Sequence, residues 1–408
     1  MIFSIVDKLV FAGFAFIINV ILAKYLSPSE YGFYVYIQAI LYIVIQVSGL
    51  GIKNIYIKEY IKSKDIGKLK SNVLVLKSAI WLLFSTIFFV LYLCEKNNDF
   101  LYLSIYSLFG IIYSIDQAEW ENEIEGRFDY ILYVRMGVLA SFFLVKIFLL
   151  IYINDVRYLI FIYVIEIPVC YIIQYYIGVY KLKNRYSIRI DFDKENACSI
   201  VKQAWPILVG LVLASIYNRV DQIMLSNISG NEELALYGLS VKLTEPFNIF
   251  ATGMVSYLYP KITKLKESGQ LYSWESSKWF YVIFIFGISL SLMLCLVGYN
   301  IFYFFDDSYS NAINVFRALA INIPFMFIGV YLSSHLIMHG LQKILLIRTL
   351  FGVAINITLN FYLIPLYGAF GAAISTLFTV IFINVIYYFA SPSTRGITVG
   401  LYFDFFKR

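Results

Sequence analysis

PILVGLVLASIYNRVDQIMLSN, residues 206–227, is the stretch whose reading decides the fold. Its 22 residues fit the roughly 17–25 that carry one helix across a bilayer. A polar run nevertheless sits inside it: Ser215, Asn218, Arg219, Asp221 and Gln222. Ser215, Asn218 and Asp221 or Gln222 recur every three or four residues and share one helical face, while Arg219 points roughly 100° away from Asn218. A stripe of this kind cannot face lipid. It either packs through an interhelical salt bridge, such as Asp221 with Lys242, or lines a water-filled cavity whose cations meet an anionic group. The two are compatible, because a pair can open when an anion arrives.

Outward from this segment the same pattern repeats. Apolar stretches run over 4–25, 31–50, 72–93, 99–115, 131–153, 158–179, 206–227, 235–258, 279–300, 311–337, 349–365 and 368–389, twelve in all. Hydrophobic residues make up 61% of the chain and charged ones 14%, against about 45–50% and 25% in soluble domains. No soluble fold of 408 residues has an interior large enough for that excess. The connections 51–71, 116–130, 180–205, 259–278, 338–348 and the tail 390–408 hold 22 of the 32 Lys and Arg, whereas the opposite connections hold only Lys96 and Arg157. Cationic loops resist translocation. Both termini are therefore expected on the cytoplasmic side of a multi-pass membrane protein.

The formal charge of +6 lies in juxtamembrane loops, where anionic headgroups are the partner, so nucleic acid is not expected. Cys94, Cys170, Cys198 and Cys295 are scattered without ligand-like spacing, and no metal site or other cofactor is expected. His335 and His339, four apart near a span end, read as headgroup-facing. The first apolar run carries Asp7 and Lys8 and has no small-residue cleavage site, so it reads as a retained span.

The most polar long connection, which includes Arg185, Arg189, Lys194 and Lys202, suggests a seam. It divides the chain into an N-terminal lobe (1–179), a cytoplasmic linker with an interfacial helix (180–205) and a C-terminal lobe with a short tail (206–408). Six spans on each side permit a parallel pseudo-repeat. The turn Leu26-Ser27-Pro28-Ser29-Glu30-Tyr31-Gly32 has an echo in Ile228-Ser229-Gly230-Asn231-Glu232-Glu233-Leu234-Ala235-Leu236-Tyr237-Gly238. Pro168, Pro246 and Pro324 fall inside spans six, eight and ten, as ordinary bends or as hinges. Tyr367-Gly368-Ala369-Phe370-Gly371-Ala372-Ala373 opens the last span with a stripe suited to tight helix contact.

Charges inside hydrocarbon cost roughly 2.5–3.5 kcal/mol each on insertion scales. Lys8, Lys24, Lys77 and Arg135 lie near span ends and are expected to snorkel. Lys146, Glu166, Arg219, Asp221, Lys242, Glu245 and Arg317 lie deeper. Depth along the helix makes Lys146 and Glu166 candidate partners, and sets Arg219, Asp221, Lys242 and Arg317 at a similar level. Glu119, Glu121, Glu123 and Glu125 read as a solvated acidic loop. No phosphate cradle, paired-carboxylate motif or nucleophile constellation stands out, and no outer connection is large enough to hold donor and acceptor. A membrane-embedded polymerase or ligase is accordingly the weakest reading.

The two Tyr-Gly turns, Asn218-Arg219-Val220-Asp221-Gln222-Ile223-Met224-Leu225, Tyr259-Pro260 and the 367–373 stretch, in this order over twelve spans, resemble the Wzx-type polysaccharide repeat-unit flippases of the multidrug/oligosaccharidyl-lipid/polysaccharide exporter superfamily. That resemblance implies an all-α polytopic fold, about twelve helices in two pseudo-symmetric six-helix lobes around a central cationic cavity. It also implies a non-enzyme that moves an undecaprenyl-diphosphate-linked oligosaccharide between leaflets for O-antigen or capsule synthesis, alongside membrane lipids and polysaccharide assembly proteins, and able to work as a monomer. Of the site residues only Arg219 and Asp221 match the family pattern. By depth, Lys242, Lys146, Arg317 and Asn218 join Arg219 as expected substrate contacts; Asp221, Glu166 and Glu245 are expected pairing or proton- or sodium-coupling groups. A drug or organic-cation antiporter of the same superfamily is the rival. Such a cargo would prefer an anionic cavity, and the deep positions favour cations by one.

Overall fold

A computed structural model describes residues 2–62, 66–182, 191–268, 272–305 and 307–403. Arg185 and Arg189 of the long connection, and residues 404–408 of the tail, lie outside the described residues. Among the described residues all regular structure is helical. Nine stretches among the described residues are long and apolar enough to cross a membrane. Within Gln342–Ala390, Gly368 breaks the helix with φ 53° and ψ −131°, so this stretch holds two of the expected spans. The remaining two are broken rather than missing. Asn98–Gly110 runs on through a 3-10 turn at Ile111–Ile115, and Asn231–Thr244 meets Asn248–Ser268 at a 3-10 turn, Glu245–Phe247. The twelve crossings read from the sequence are thus accounted for, and the chain is a multi-pass membrane protein.

The helices gather into two compact units. The first comprises Met1–Leu26 and Ile37–Arg219; the second comprises Ser27–Tyr36 and Val220–Arg408. In the first, Asp193 Oδ1 accepts from the backbone N–H groups of Glu195 and Asn196 and so caps the helix Lys194–Ser229. The segment expected as a separate interfacial helix is continuous with span seven. Its Ala197, Ile200 and Ala204 are buried, and Ile200 and Ala204 pack with Tyr56, Leu69, Val73 and Trp120, while Phe192, Val201 and Trp205 are exposed.

Within the second unit, the Ser-Pro-Ser-Glu turn is a capping box. Ser27 N–H donates to Glu30 Oε2 at 3.0 Å, Glu30 N–H returns to Ser27 Oγ at 3.4 Å, and Pro28 starts the helix, where its missing N–H costs nothing. Its echo works differently. Glu233 reaches across to accept from the N–H of Ala369 at 2.7 Å, capping the helix that restarts after Gly368. A Cβ on Gly368 would stand 2.3 Å from Glu233 Oε2, and one on Gly371 would stand 2.2 Å from the carbonyl oxygen of Leu363. The small residues of 367–373 therefore serve a tight reversal as well as packing.

Candidate functional site

In the first unit the acidic loop is not solvated. Residues Gln117–Ile124 form a short helix packed among longer ones, with Trp120, Glu121 and Asn122 buried and Glu119 and Glu123 half-buried. Glu119 and Glu123, four apart, share one face, and Glu121 looks the other way. Glu119 pairs with Arg135 at 2.5 Å, Glu123 with Lys53 at 2.7 Å, and Glu121 with Lys70 at 2.9 Å. Tyr56 also donates to Glu121 at 2.5 Å. Burial pushes the Glu121 carboxyl above the usual glutamate range, with Lys70 and Tyr56 opposing the shift. Lys77 and Arg135 do not snorkel. Lys77 is buried and pairs with Asp116 at 2.5 Å, while Arg135 bridges Asp7 and Glu119. A cavity of about 200 Å³ lies beside Asp7, Lys53, Glu119, Glu123 and Arg135. Its cations are matched by carboxylates, so the arrangement fastens helices more readily than it receives cargo.

Farther along the same unit, Lys146 Nζ sits 2.5 Å from Glu166 Oε2, both side chains buried, joining the helices Phe128–Tyr152 and Val156–Leu182. In a low-dielectric setting such a pair must be close and well bonded to offset the loss of water. Arg219 is half-buried, its guanidinium carbon 4.7 Å from the centre of the Tyr42 ring. That face-on contact stabilises a cation without neutralising it. Asn218 beside it is exposed.

In the second unit Asp221 is buried and accepts a hydrogen bond from Tyr237, the Tyr of the second Tyr-Gly turn. Thr376 stands 3.5 Å from the same carboxylate oxygen and 3.2 Å from the Tyr237 hydroxyl. Lys242 is half-buried, and Glu245 and Arg317 are exposed. Among the expected hinges, Pro246 coincides with a helix interruption, at Glu245–Phe247, whereas Pro168 and Pro324 lie within unbroken helices. Pro324 is a packing point: a Cβ on Gly287 would approach its Cα to 2.9 Å. His335 is fully buried rather than headgroup-facing, with Nδ1 3.1 Å from the carbonyl of Tyr331.

Thus the Lys146–Glu166 and Arg219–Tyr42 contacts belong to the first unit, and the Asp221–Tyr237–Thr376 group to the second. Sequence reasoning missed Tyr42 and Thr376, whose residue types are common in spans and carry no spacing signal. Tyr237 was visible only as half of a turn motif.

Residues 1–266, a range containing Arg219, Asp221, Lys242 and both Tyr-Gly turns, match the model of a family described as polysaccharide biosynthesis protein. This chain belongs to the polysaccharide biosynthesis protein family. Within reach of this family member are a Shigella dysenteriae protein named for O-antigen transport, 28% identical over 251 residues, and a membrane protein of Methanocaldococcus jannaschii, 27% identical over 240. These matches cover 60% and 55% of this chain and 60% and 57% of those relatives, under two thirds of either. The fold of this polysaccharide biosynthesis protein is shared with the lipid II flippase MurJ in an inward closed conformation, with TM-score 0.74, 17% identity, and 98% of this chain and 90% of that one covered. An inward-facing multidrug resistance transporter of the MATE family gives TM-score 0.71 at 13% identity, covering 96% of this chain and 94% of its own.

Proposed function

We propose that this polysaccharide biosynthesis protein is a flippase that carries an undecaprenyl-diphosphate-linked oligosaccharide repeat unit from the cytoplasmic to the outer leaflet of the bacterial inner membrane, supplying O-antigen or capsule assembly. The observation that carries this reading is the family match across residues 1–266, which spans the charged run of span seven. A diphosphate and a sugar chain cannot cross hydrocarbon unaided, because each unpaired polar group costs kilocalories. Arg219, Lys242 and Arg317 meet the diphosphate, with Arg offering two parallel bonds. Lys146 joins them only by leaving Glu166, so it is the weaker contact. Asn218 offers a neutral amide to the sugar. Asp221, Glu166 or Glu245 couples the cycle to proton or sodium movement, and bends at Pro168, Pro246 or Pro324 help the lobes rock between inward and outward access. The lipid tail stays in the bilayer throughout.

One observation keeps a second reading alive. The chain shares its fold with a multidrug transporter nearly as well as with a lipid flippase, and an organic-cation antiporter would be read out as drug accumulation in a deletion strain. The decisive experiment is Arg219→Ala: surface glycan is lost while the protein remains in the membrane. Normal glycan levels in that strain would count against the flippase reading.

A further inference from the structure

Arg348, the last residue of the cation-rich connection 338–348, stands six residues into the helix Gln342–Ile381, about 9 Å from its start. It is half-buried, and its surroundings are neutral. Nη1 donates to Ser333 Oγ at 3.1 Å, Asn384 Oδ1 at 3.3 Å and Tyr388 Oη at 2.7 Å, and the guanidinium carbon lies 5.5 Å from the centre of the Tyr388 ring. No carboxylate among the described residues forms an ion pair with it. Nε is shielded from water without an acceptor, and no acceptor is found for Nη2 among the described residues.

The pocket wall is shaped for this arrangement. Asn384 sits in a π turn, Phe382–Ile386, a rare irregularity that is frequent at functional sites. Gly329 lets it come close: a Cβ there would be 2.2 Å from Asn384 Oδ1. Three neutral groups therefore hold Nη1, protein atoms cover Nε, and Nη2 is left to bond a phosphate that the guanidinium charge attracts. On the same helix Ile347, Leu350 and Phe351 are exposed and apolar, which suits the hydrocarbon chains that follow a lipid headgroup.

We propose that Arg348, positioned by Ser333, Asn384 and Tyr388, is a binding site for the phosphate of a lipid headgroup at the cation-rich face of the membrane. An uncompensated arginine at the edge of hydrocarbon is costly unless an anion completes it, and basic pockets between spans on this side take lipid phosphates. Two lipids present that chemistry: a resident anionic phospholipid and a polyprenyl diphosphate. Only the second source rests on the flippase reading.

Native mass spectrometry of the purified full chain, titrated with phosphatidylglycerol or with undecaprenyl diphosphate, tests the site. Arg348→Gln is expected to weaken binding of at least one probe tenfold or more. Loss confined to phosphatidylglycerol assigns a resident headgroup, loss for undecaprenyl diphosphate assigns the carrier lipid, and wild-type affinity for both overturns the proposal. Should the variant fail to fold, phenylglyoxal labelling of Arg348 in the unaltered protein decides instead. At least fivefold protection by either probe supports the site, and undiminished labelling overturns it. Arg219→Ala is read by glycan and Arg348→Gln by lipid binding, so either result stands without the other.

Discussion

Gly32 packs its α-carbon against the backbone of Asn231, so closely that a Cβ at Gly32 would lie 1.8 Å from the Asn231 carbonyl oxygen. The relationship is returned a few residues away, where a Cβ on Gly238 would stand 2.9 Å from Val35. The two Tyr-Gly echoes thus meet each other, Gly32 seated on the second turn and Gly238 on the helix that follows the first. Both lie in the unit that gathers Ser27–Tyr36 with the second half of the chain.

Gly32→Val should force this contact apart. Overpacking of this kind costs about 1–3 kcal/mol. A lower melting temperature in detergent is expected, with faster maleimide labelling of a cysteine placed at Asn231. Unchanged melting and labelling would show that the turns do not depend on the contact.

Removing one member of the Lys146–Glu166 pair leaves a buried charge alone. Glu166→Leu or Lys146→Met should each destabilise by roughly 3–5 kcal/mol, and the double apolar variant should recover most of that. Thermal unfolding of the three variants measures it. Equal losses in the double variant and in the singles would mean that the side chains hold something other than each other.

Gly368→Ala meets two penalties at once, a backbone conformation reserved for glycine and a clash with Glu233. Together they should cost about 2 kcal/mol or more. Glu233→Gln, which keeps an acceptor for the Ala369 N–H, should cost less. Melting temperatures that rank the other way would refute the capping role.

Glu121 gives a pH dependence of defined sign. Its carboxyl is raised above the unfolded value of 4.5, so the native chain holds that proton more firmly. The associated stability is complete below the ordinary glutamate range and is lost as pH rises through the raised value. Glu121→Gln should flatten the fall of melting temperature in that window. An unaltered slope would place the proton elsewhere.

Much of the fold was open to sequence reading because a crossing is a length and a hydropathy, and both are local. The pairing of Glu119, Glu121 and Glu123 was not. Three alternating carboxylates look the same on a wet loop and on a wedged helix, and only the positions of Lys53, Lys70 and Arg135 on three other helices distinguish the two. Lys146 with Glu166 was legible, since neighbouring antiparallel spans fix depth by counting. Arg348 was not, since Ser333, Asn384 and Tyr388 are neutral residues on other helical segments, without any common spacing.

Arg135 clasps Asp7 across a separation of 128 residues. At about 5–20 residues per second of synthesis, the nascent first helix waits on the order of ten seconds before its acid finds a counter-charge. Until then Asp7 has only water, headgroups or the insertion machinery for company, and its place in the early turns of the helix Ile2–Tyr25 keeps it within reach of them. Biogenesis thus sets a deadline on this helix: quality-control proteases see Asp7 unmatched until the fifth crossing emerges, so a truncation before Arg135 should be cleared faster than one after Tyr152.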